Sequence, residues 1–318
     1  MPVGAPVHRV TIMTAPAEVC ARAPAKINLE LRVGGLRADG HHELATVYQA
    51  VSLFDDVIAT EADEVSVTVD GVHAEGVPQD ETNLAVRAAL LLARRTGVDA
   101  GVRLRVRKAI PVAAGMGGGS ADAAAALLAC DTLWRAGLSR EALVELAAEL
   151  GSDVPFALHG GTAVGTGRGE RLTPALARGE YHWVVALSDH GLSTPAVYAE
   201  LDRLRTGRVL AEPRVADRLM QALRSADPIA LGATLHNDMQ PAACSLAPDL
   251  ERLLEVGRDY GAAGGLVSGS GPTVALLARD AEQALDLAVA LTSSGLAADV
   301  RRVLGPVSGA RLVEPVRG

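Results

Sequence analysis

The run Pro111-Val112-Ala113-Ala114-Gly115-Met116-Gly117-Gly118-Gly119-Ser120, followed at once by an alanine-rich segment, is the densest concentration of usable chemistry in the sequence. The glycines at 115, 117, 118 and 119 remove the Cβ atoms from the turn, so the backbone can curl around a ligand. A helix opening there offers free N–H groups and the positive end of its dipole to an anion, phosphate above all. The loop is not a Walker A motif, which needs Lys after the last Gly, because Ser120 follows Gly119. The dinucleotide fingerprint fails as well, since it requires a third Gly at position 120. Asp153, in Gly151-Ser152-Asp153-Val154-Pro155, either caps a helix or accepts a proton from a hydroxyl during phosphoryl transfer. Lys26 is either a solvent-facing charge on an edge strand or an ammonium that steadies phosphate charge and lowers a neighbouring pKa.

Lysine usage gives a further hint. Lys and Arg total 30, yet Lys26 and Lys108 are the only lysines, leaving 28 arginines. Lysine is a compact point charge on a slim stem, whereas arginine is a broad planar fork, so the two exceptions mark positions where that geometry matters. His41-His42 follows Asp39-Gly40. Adjacent histidines lack the i, i+4 spacing of a metal pair, so they read as loop residues or as partners that hydrogen-bond or stack on a heterocyclic base. With four Tyr, two Trp and two Phe in the chain, Tyr198, just after Ser193-Thr194-Pro195, is a scarce stacking surface or ordinary core.

Periodicity supplies the elements that must position these groups. Residues 25–33 alternate apolar and polar, as a half-buried strand does, and residues 47–59, 65–69 and 102–110 read as further strands. Residues 82–96 carry Leu84, Ala88, Leu91 and Leu92 at helical spacing, with Gly97 as the stop. Ser120 is the expected N-cap of a helix over 121–136, with Asp122 in its first turn and Gly137 after its end. A helix over 140–150 is capped by Ser139 and ended by Gly151, and the five glycines between 160 and 169 suggest strand plus turn. After a polar stretch the pattern restarts with a strand at 183–187. Helices follow at 197–204, 215–224, 250–260 and 281–294, with a loop feeding a strand at 265–278. This predicts an α+β chain with a loose leader over 1–18, a first domain over 19–180 and a second over 181–318, in line with about two domains at ~150 residues each.

Composition narrows the partners. Hydrophobic residues make up 49% and charged residues 21%, which excludes wholesale disorder. The formal charge of −8, with no basic run to offset it, argues against nucleic acid while leaving room for a local basic pocket. There is no run of ~18 apolar residues to span a membrane. Cys20, Cys130 and Cys244 form no C-x-x-C pair, which points away from disulfides and zinc and toward a reducing cytoplasm.

The segments 23–29 (Ala-Pro-Ala-Lys-Ile-Asn-Leu), 37–44 (Arg-Ala-Asp-Gly-His-His-Glu-Leu), 111–125, 151–155 and 267–273 occur in that order and together resemble the GHMP kinase superfamily. The first two most resemble its branch acting on cytidine diphosphate-linked methylerythritol. The resemblance implies a two-domain α+β GHMP kinase-like fold with the active site in the interdomain cleft. It implies transfer of the γ-phosphoryl group of ATP, with Mg2+ expected, to the tertiary 2-hydroxyl of the polyol. By the same resemblance Lys26 and Asp153 are catalytic. ATP is held by Asn83, Lys108, Pro111, Val112, Ala113, Ala114, Gly115, Met116, Gly117, Gly118, Gly119 and Ser120. The substrate is held by Asn28, His41, His42, Thr194 and Tyr198, with His41 and Tyr198 sandwiching the cytosine, and no secure protein ligand for the metal is named beyond Ser120. A homoserine or mevalonate type of GHMP kinase, and a non-catalytic nucleotide sensor, are the alternatives.

Overall fold

A computed structural model describes residues 18–38, 40–188 and 191–314. The leader expected over 1–18 lies outside the described residues except for Glu18, which begins the first strand. The chain opens with two long strands, β1 (Glu18–Leu36) and β2 (His42–Ala62), paired antiparallel with bulges near Ala25, Leu29 and Leu36. Then follow β3 (Ser66–Gly71), α1 (Leu84–Thr96), β4 (Gly101–Lys108), α2 (Gly118–Trp134), α3 (Arg140–Leu150), α4 (Val154–His159), β5 (Thr162–Gly167) and β6 (Arg171–Pro174). The later elements are β7 (Tyr181–Leu187), α5 (Thr194–Leu204), α6 (Asp217–Ser225), α7 (Pro228–Gly232), β8 (His236–Asn237), α8 (Gln240–Leu246) and α9 (Asp249–Asp259). Closing the described chain are β9 (Gly264–Val267), β10 (Val274–Ala278), α10 (Ala281–Ser294), β11 (Asp299–Gly305) and β12 (Arg311–Val313).

Among the described residues the strands form two sheets. The first runs β12-β1-β2-β4-β3, with β5 and β6 added to the early part of β2 and β8 added to β1. The second runs β11-β7-β10-β9. Because β2 is so long, residues 44–49 pair with β5 while residues 56–62 pair with β4. The chain leaves the first sheet after β6 and enters the second at β7, yet β8 and β12 return to β1, so a cut at residue 180 does not follow the sheets. Trp183 Nε1 on β7 donates to Gln49 Oε1 on β2 at 2.9 Å, which pins the two layers together.

The core lies between the first sheet and α1 and α2. Ile27 and Leu29 on β1 are fully buried, each contributing about 1.5–3 kcal/mol relative to exposure. Helix α2 is apolar all round, the signature of a buried helix, and its alanines at 121, 123–126 and 129 are all fully buried. Two expected helix ends move. Helix α2 starts at Gly118, with Gly117 at the cap in a left-handed conformation (φ 74°), so Ser120 lies inside the first turn and is not the cap. At its other end Arg135, not Gly137, takes the left-handed terminal position (φ 53°), its N–H reaching the Asp131 and Thr132 carbonyls. Ser139 and Gly151 bound α3, Gly97 ends α1, and no described helix is long and apolar enough to cross a membrane.

Candidate active site

Lys26 and Asn28 are two residues apart on β1, so both leave the same face of the strand. That face is covered: Lys26 is 7% and Asn28 2% exposed, which corrects the reading of Lys26 as a solvated edge charge. A relay of hydrogen bonds fixes their orientation. Thr46 Oγ1 donates to the Glu30 carbonyl at 2.7 Å and therefore accepts from Asn28 Nδ2 at 2.8 Å. The Asn28 amide is then turned so that Oδ1 accepts from Lys26 Nζ at 2.8 Å.

Asp153 stands at the N-terminus of α4 but makes no side-chain capping bond, and Pro in the first turn needs no donor satisfied. The carboxylate turns instead to the cleft. Its Oδ2 is 3.5 Å from Lys26 Nζ, and its Oδ1 accepts from the Tyr48 hydroxyl at 3.1 Å. A role for Asp153 as a cap alone is thus ruled out. Tyr48 packs on Phe156 of α4 with ring centroids 4.9 Å apart, and Lys26 Nζ lies 5.7 Å from the phenol centroid, within cation–π range. Burial, then the negative charge of Asp153, hold the Tyr48 hydroxyl well above the ordinary tyrosine range, so it stays protonated and donating. Room for the phenol comes from Gly165 and Gly169: a Cβ on Gly165 would lie 2.7 Å from Tyr48 Cε2, and one on Gly169 would collide with the hydroxyl.

Over this pair passes the glycine loop. Gly115 and Gly117 have φ of 72° and 74°, left-handed values that a side chain resists. A Cβ on Gly117 would lie 3.2 Å from Lys26 Cγ and 3.8 Å from Asp153 Oδ2, so the loop runs directly above the ammonium and the carboxylate. Lys26 N also donates to the Met116 carbonyl at 3.0 Å. From the second sheet, the turn between β9 and β10 closes the other side. There Ser268 Oγ donates to the Gly115 carbonyl at 3.1 Å, and a Cβ on Gly269 would sit 3.2 Å from Lys26 Nζ. The result is a cleft of about 520 Å³ bearing Lys26, Asn28, Tyr48, Asp153 and the opening turn of α2. Volume does not single it out, since cavities of about 670 and 640 Å³ lie beside the ends of α2 and α1 without such a constellation. What distinguishes it is a cation, a carboxylate and unsatisfied helix N–H groups on one space, a combination suited to moving a phosphoryl group onto a hydroxyl.

A second cavity of about 530 Å³ adjoins the cleft, sharing Leu44, Arg168, Thr194 and Tyr198 with it and adding His41, His42 and Asp202. Thr194 Oγ1 is 2.9 Å from Ser270 Oγ, which ties the start of α5 to the β9–β10 turn. His42 Nδ1 donates to the Gly34 carbonyl at 2.9 Å, and its Nε2 lies 3.4 Å from Asp202 Oδ2. The rings of His42 and Tyr198 stack with centroids 5.0 Å apart and planes 9° apart. That is direct contact and leaves no gap for a base between them. Tyr198 thus packs on His42, where a pairing of Tyr198 with His41 across a base was expected; His41 is exposed on the wall of the same cavity. Burial, with Asp153 and Asp202 nearby, pushes the Tyr198 hydroxyl up to about 12.

Of the expected nucleotide contacts, Pro111, Ala113, Ala114, Gly115, Gly117, Gly118, Gly119 and Ser120 line the cleft, and Val112 is exposed beside it. Met116 is fully buried and faces the core. Asn83 and Lys108 are not brought to the cleft. Asn83 is 4% exposed and caps α1, its Oδ1 accepting from Ala85 N at 2.8 Å and its Nδ2 donating to the Pro78 carbonyl at 2.7 Å. Lys108 is 2% exposed and its ammonium is held by Asp55 and Asp122. Burial pulls Lys108 down, but the two carboxylates outweigh it and keep the group above its usual range. These two residues shape the base of the loop from below, because their polar atoms are already engaged inside the fold. Among the described residues no trio of His, Cys, Asp and Glu converges to hold a metal. Tyr48 and Arg168 are members of the site that sequence reasoning passed over. The signal for Arg168 was its placement between two glycines; Tyr48 carried none beyond its position across from Asn28 in the strand pair.

Comparison with known proteins identifies the chain's relatives. Residues 83–161 match the family described as GHMP kinases N terminal domain, and residues 219–296 match GHMP kinases C terminal. The chain is 55% identical over 309 residues to the 4-diphosphocytidyl-2-C-methyl-D-erythritol kinase of Thermobifida fusca (strain YX), covering 95% of this chain and 100% of that one. It is 54% identical over 304 residues to the protein of the same name from Leifsonia xyli subsp. xyli, covering 93% and 98%. A crystal structure of 4-(cytidine 5'-diphospho)-2C-methyl-D-erythritol kinase superposes with a TM-score of 0.73 at 33% identity, covering 91% of this chain and all of that one. A homoserine kinase from Cytophaga hutchinsonii reaches a TM-score of 0.75 at 18% identity, a likeness of fold alone. The chain therefore belongs to the GHMP kinases and, within them, to the family of 4-diphosphocytidyl-2-C-methyl-D-erythritol kinases.

Proposed function

We propose that this protein transfers the γ-phosphoryl group of ATP to the 2-hydroxyl of 4-diphosphocytidyl-2-C-methyl-D-erythritol, releasing the 2-phosphate and ADP, a step in non-mevalonate isoprenoid precursor biosynthesis. The observation that carries the reading is the 3.5 Å approach of Lys26 Nζ to Asp153 Oδ2 directly beneath Gly117 of the glycine loop. The acceptor oxygen attacks the γ-phosphorus as the bond to the bridging oxygen breaks and its electron pair departs with ADP. The hydroxyl proton passes to Asp153, whose Oδ2 lies beside Lys26 in the cleft and makes no hydrogen bond of its own among the described residues. Lys26 stabilises charge that grows on the attacking and transferred oxygens, and holding it in a buried site strengthens that effect. Backbone N–H groups of residues 117–120 cradle the ATP phosphates, and Asn28 orients the polyol while holding Lys26. His42, its Nδ1 proton engaged by Gly34, presents Nε2 as an acceptor suited to the exocyclic amine of cytosine when the ring is neutral.

Magnesium accompanies ATP in such reactions and supplies charge neutralisation on the β- and γ-phosphates. The oxygen donors lining the cleft suit a cation carried in on the nucleotide, with the Ser120 hydroxyl and the Asp153 carboxylate in reach, better than a cage built by protein alone. Three free cysteines fit a cytoplasmic setting, which we infer for the protein. The deciding assay measures ADP release with the cytidine diphosphate-linked alcohol, homoserine and mevalonate in parallel. Turnover confined to the first is the expected result. Turnover of either other alcohol alone transfers the protein to another branch, and ADP release independent of any acceptor removes the kinase reading.

A further inference from the structure

Arg168 is the single Lys or Arg side chain common to the walls of the cleft and of its adjoining cavity. It is half-buried, and among the described residues its guanidinium makes no ion pair or hydrogen bond. Three other half-buried arginines are matched, Arg22 with Asp56 at 2.7 Å, Arg32 with Glu30 at 2.7 Å and Arg205 with Asp238 at 3.0 Å, while Arg311, its Nη1 also without a hydrogen-bond partner, lies over the Phe54 ring and away from both cavities. The acid best placed to neutralise Arg168 is turned elsewhere. Glu170 Oε2 accepts from the backbone N of Arg168 at 2.7 Å, which spends the carboxylate on the turn and leaves the guanidinium to the cavity.

The turn is built to hold that arrangement. Gly167 and Gly169, on either side of Arg168, have φ of 74° and 103°, and Gly169 N donates to the Thr166 carbonyl at 3.0 Å. A Cβ on Gly167 would lie 2.9 Å from Glu170 Oε1, and one on Gly169 would strike the Tyr48 hydroxyl. Arg168 is therefore presented from a fixed turn wedged against the residue that orients Asp153.

An unmatched guanidinium at the junction of two cavities calls for an anion that lies across the junction. The proposed substrate has one. With cytidine in the cavity of His42 and Tyr198, and the reacting hydroxyl at Lys26 and Asp153, the linking diphosphate must pass the shared wall of Leu44, Arg168, Thr194 and Tyr198. Arg168 is the charged member of that wall. Asp153 and Asp202 border the route, and the chain carries a net −8, so a bound diphosphate meets repulsion unless a cation offsets it. Arginine's planar fork suits paired phosphate oxygens.

We propose that Arg168 binds the diphosphate that joins cytidine to the polyol, and that it selects cytidine diphosphate-linked alcohols over uncharged ones. This rests on the substrate proposed above. The test compares the wild-type chain with Arg168→Ala and Arg168→Lys, each saturated with a non-hydrolysable ATP analogue, by calorimetric titration with CDP and with cytidine. Steady-state kinetics on the full substrate accompany it. Loss of a charged hydrogen-bond pair predicts that Arg168→Ala weakens CDP about 10- to 100-fold while leaving cytidine nearly unchanged. The substrate KM rises to match, the ATP KM stays constant, and Arg168→Lys recovers part of the loss. Equal weakening of CDP and cytidine means the side chain merely packs, and a raised ATP KM with CDP unaffected assigns it to the nucleotide; either result overturns the proposal. So does unchanged CDP affinity in a variant of an otherwise active enzyme. A wild-type protein that turns over no cytidine-linked alcohol defeats the functional reading itself, a failure distinct from that of Arg168.

Discussion

Lys108 and Lys26 are both strand lysines set against carboxylates, and they are held in different ways. The Lys108 ammonium has two carboxylate partners, Asp55 and Asp122, and none of the three side chains is more than 4% exposed. The Lys26 ammonium has an amide oxygen at 2.8 Å and one carboxylate at 3.5 Å, and that carboxylate is 29% exposed toward the cleft. An ammonium has three protons to give. At Lys108 two of them go to acids buried inside the fold, whereas at Lys26 one goes to an amide oxygen and the ammonium borders the cleft with capacity for an incoming oxygen. The difference separates a charge that builds the site from a charge that works in it.

Four changes break or sharpen that contrast. Asp153→Asn keeps the shape of the cleft and removes the proton acceptor, so kcat falls about 10²- to 10⁴-fold with ATP affinity and Tm near wild type. Single-turnover kinetics and nucleotide titration check both halves. Lys108→Met leaves the buried Asp55 carboxylate and its buried neighbour Asp122 without their cation and costs about 3–5 kcal/mol in a denaturant titration. Protein that still folds keeps Lys26 and Asp153 in place, so kcat should be spared more than stability. Tyr48→Phe removes the hydroxyl that steadies Asp153 and keeps the ring. The loss of one hydrogen bond to a charged group predicts a drop in kcat of about 10-fold with both KM values retained, as steady-state assays would register.

The smallest effect is one of pH. Asp55 already gathers Lys108 and the backbone N–H groups of Ala109 and Ile110, whereas Asp122 engages Lys108 through Oδ2 and leaves Oδ1 without a hydrogen-bond partner among the described residues. Burial, with the Asp55 carboxylate beside it, pushes Asp122 up to about 8, well above the ordinary carboxylate range and against the opposing pull of Lys108. The folded chain thus holds this proton more tightly than the unfolded chain does. Its stabilising effect is complete below about 4 and is lost as pH rises through about 8. Asp122→Asn, which still accepts from Lys108, should flatten this part of the stability profile; denaturation midpoints between pH 4 and 9 in both proteins read it out.

Local signals were legible where a residue's neighbours in sequence are also its neighbours in space. Gly97, Ser139 and Gly151 mark helix ends because caps act within one turn, and residues 281–294 form α10 with the expected bounds. The Ser120 cap failed because Gly117, in a left-handed turn, starts the helix earlier than the preference for a hydroxyl suggests. Strands β8 and β12 escaped notice because short segments gain their strand character from β1, which lies some hundreds of residues away. The same distance hid the working partners in the site. Tyr48 meets Asp153 across 105 positions, and the partners of Lys108 come from β2 and α2. The resemblance supplied Lys26, Asp153 and the loop, but residue matching could not tell that Lys108 and Asn83 spend their polar atoms inside the fold.

The seam between the glycine loop and the β9–β10 turn bears on how this enzyme can be divided. Gly115 sits so close to Ser268 and Gly271 that a Cβ there has no space, and the Ala114 carbonyl accepts from Thr273 N at 3.4 Å. Each turn serves as the mould for the other. A fragment ending near residue 180 would carry every atom of the phosphate loop and lack the surface that shapes it. The transplantable module is this clasped pair of turns, and a chimera that swaps one must swap both.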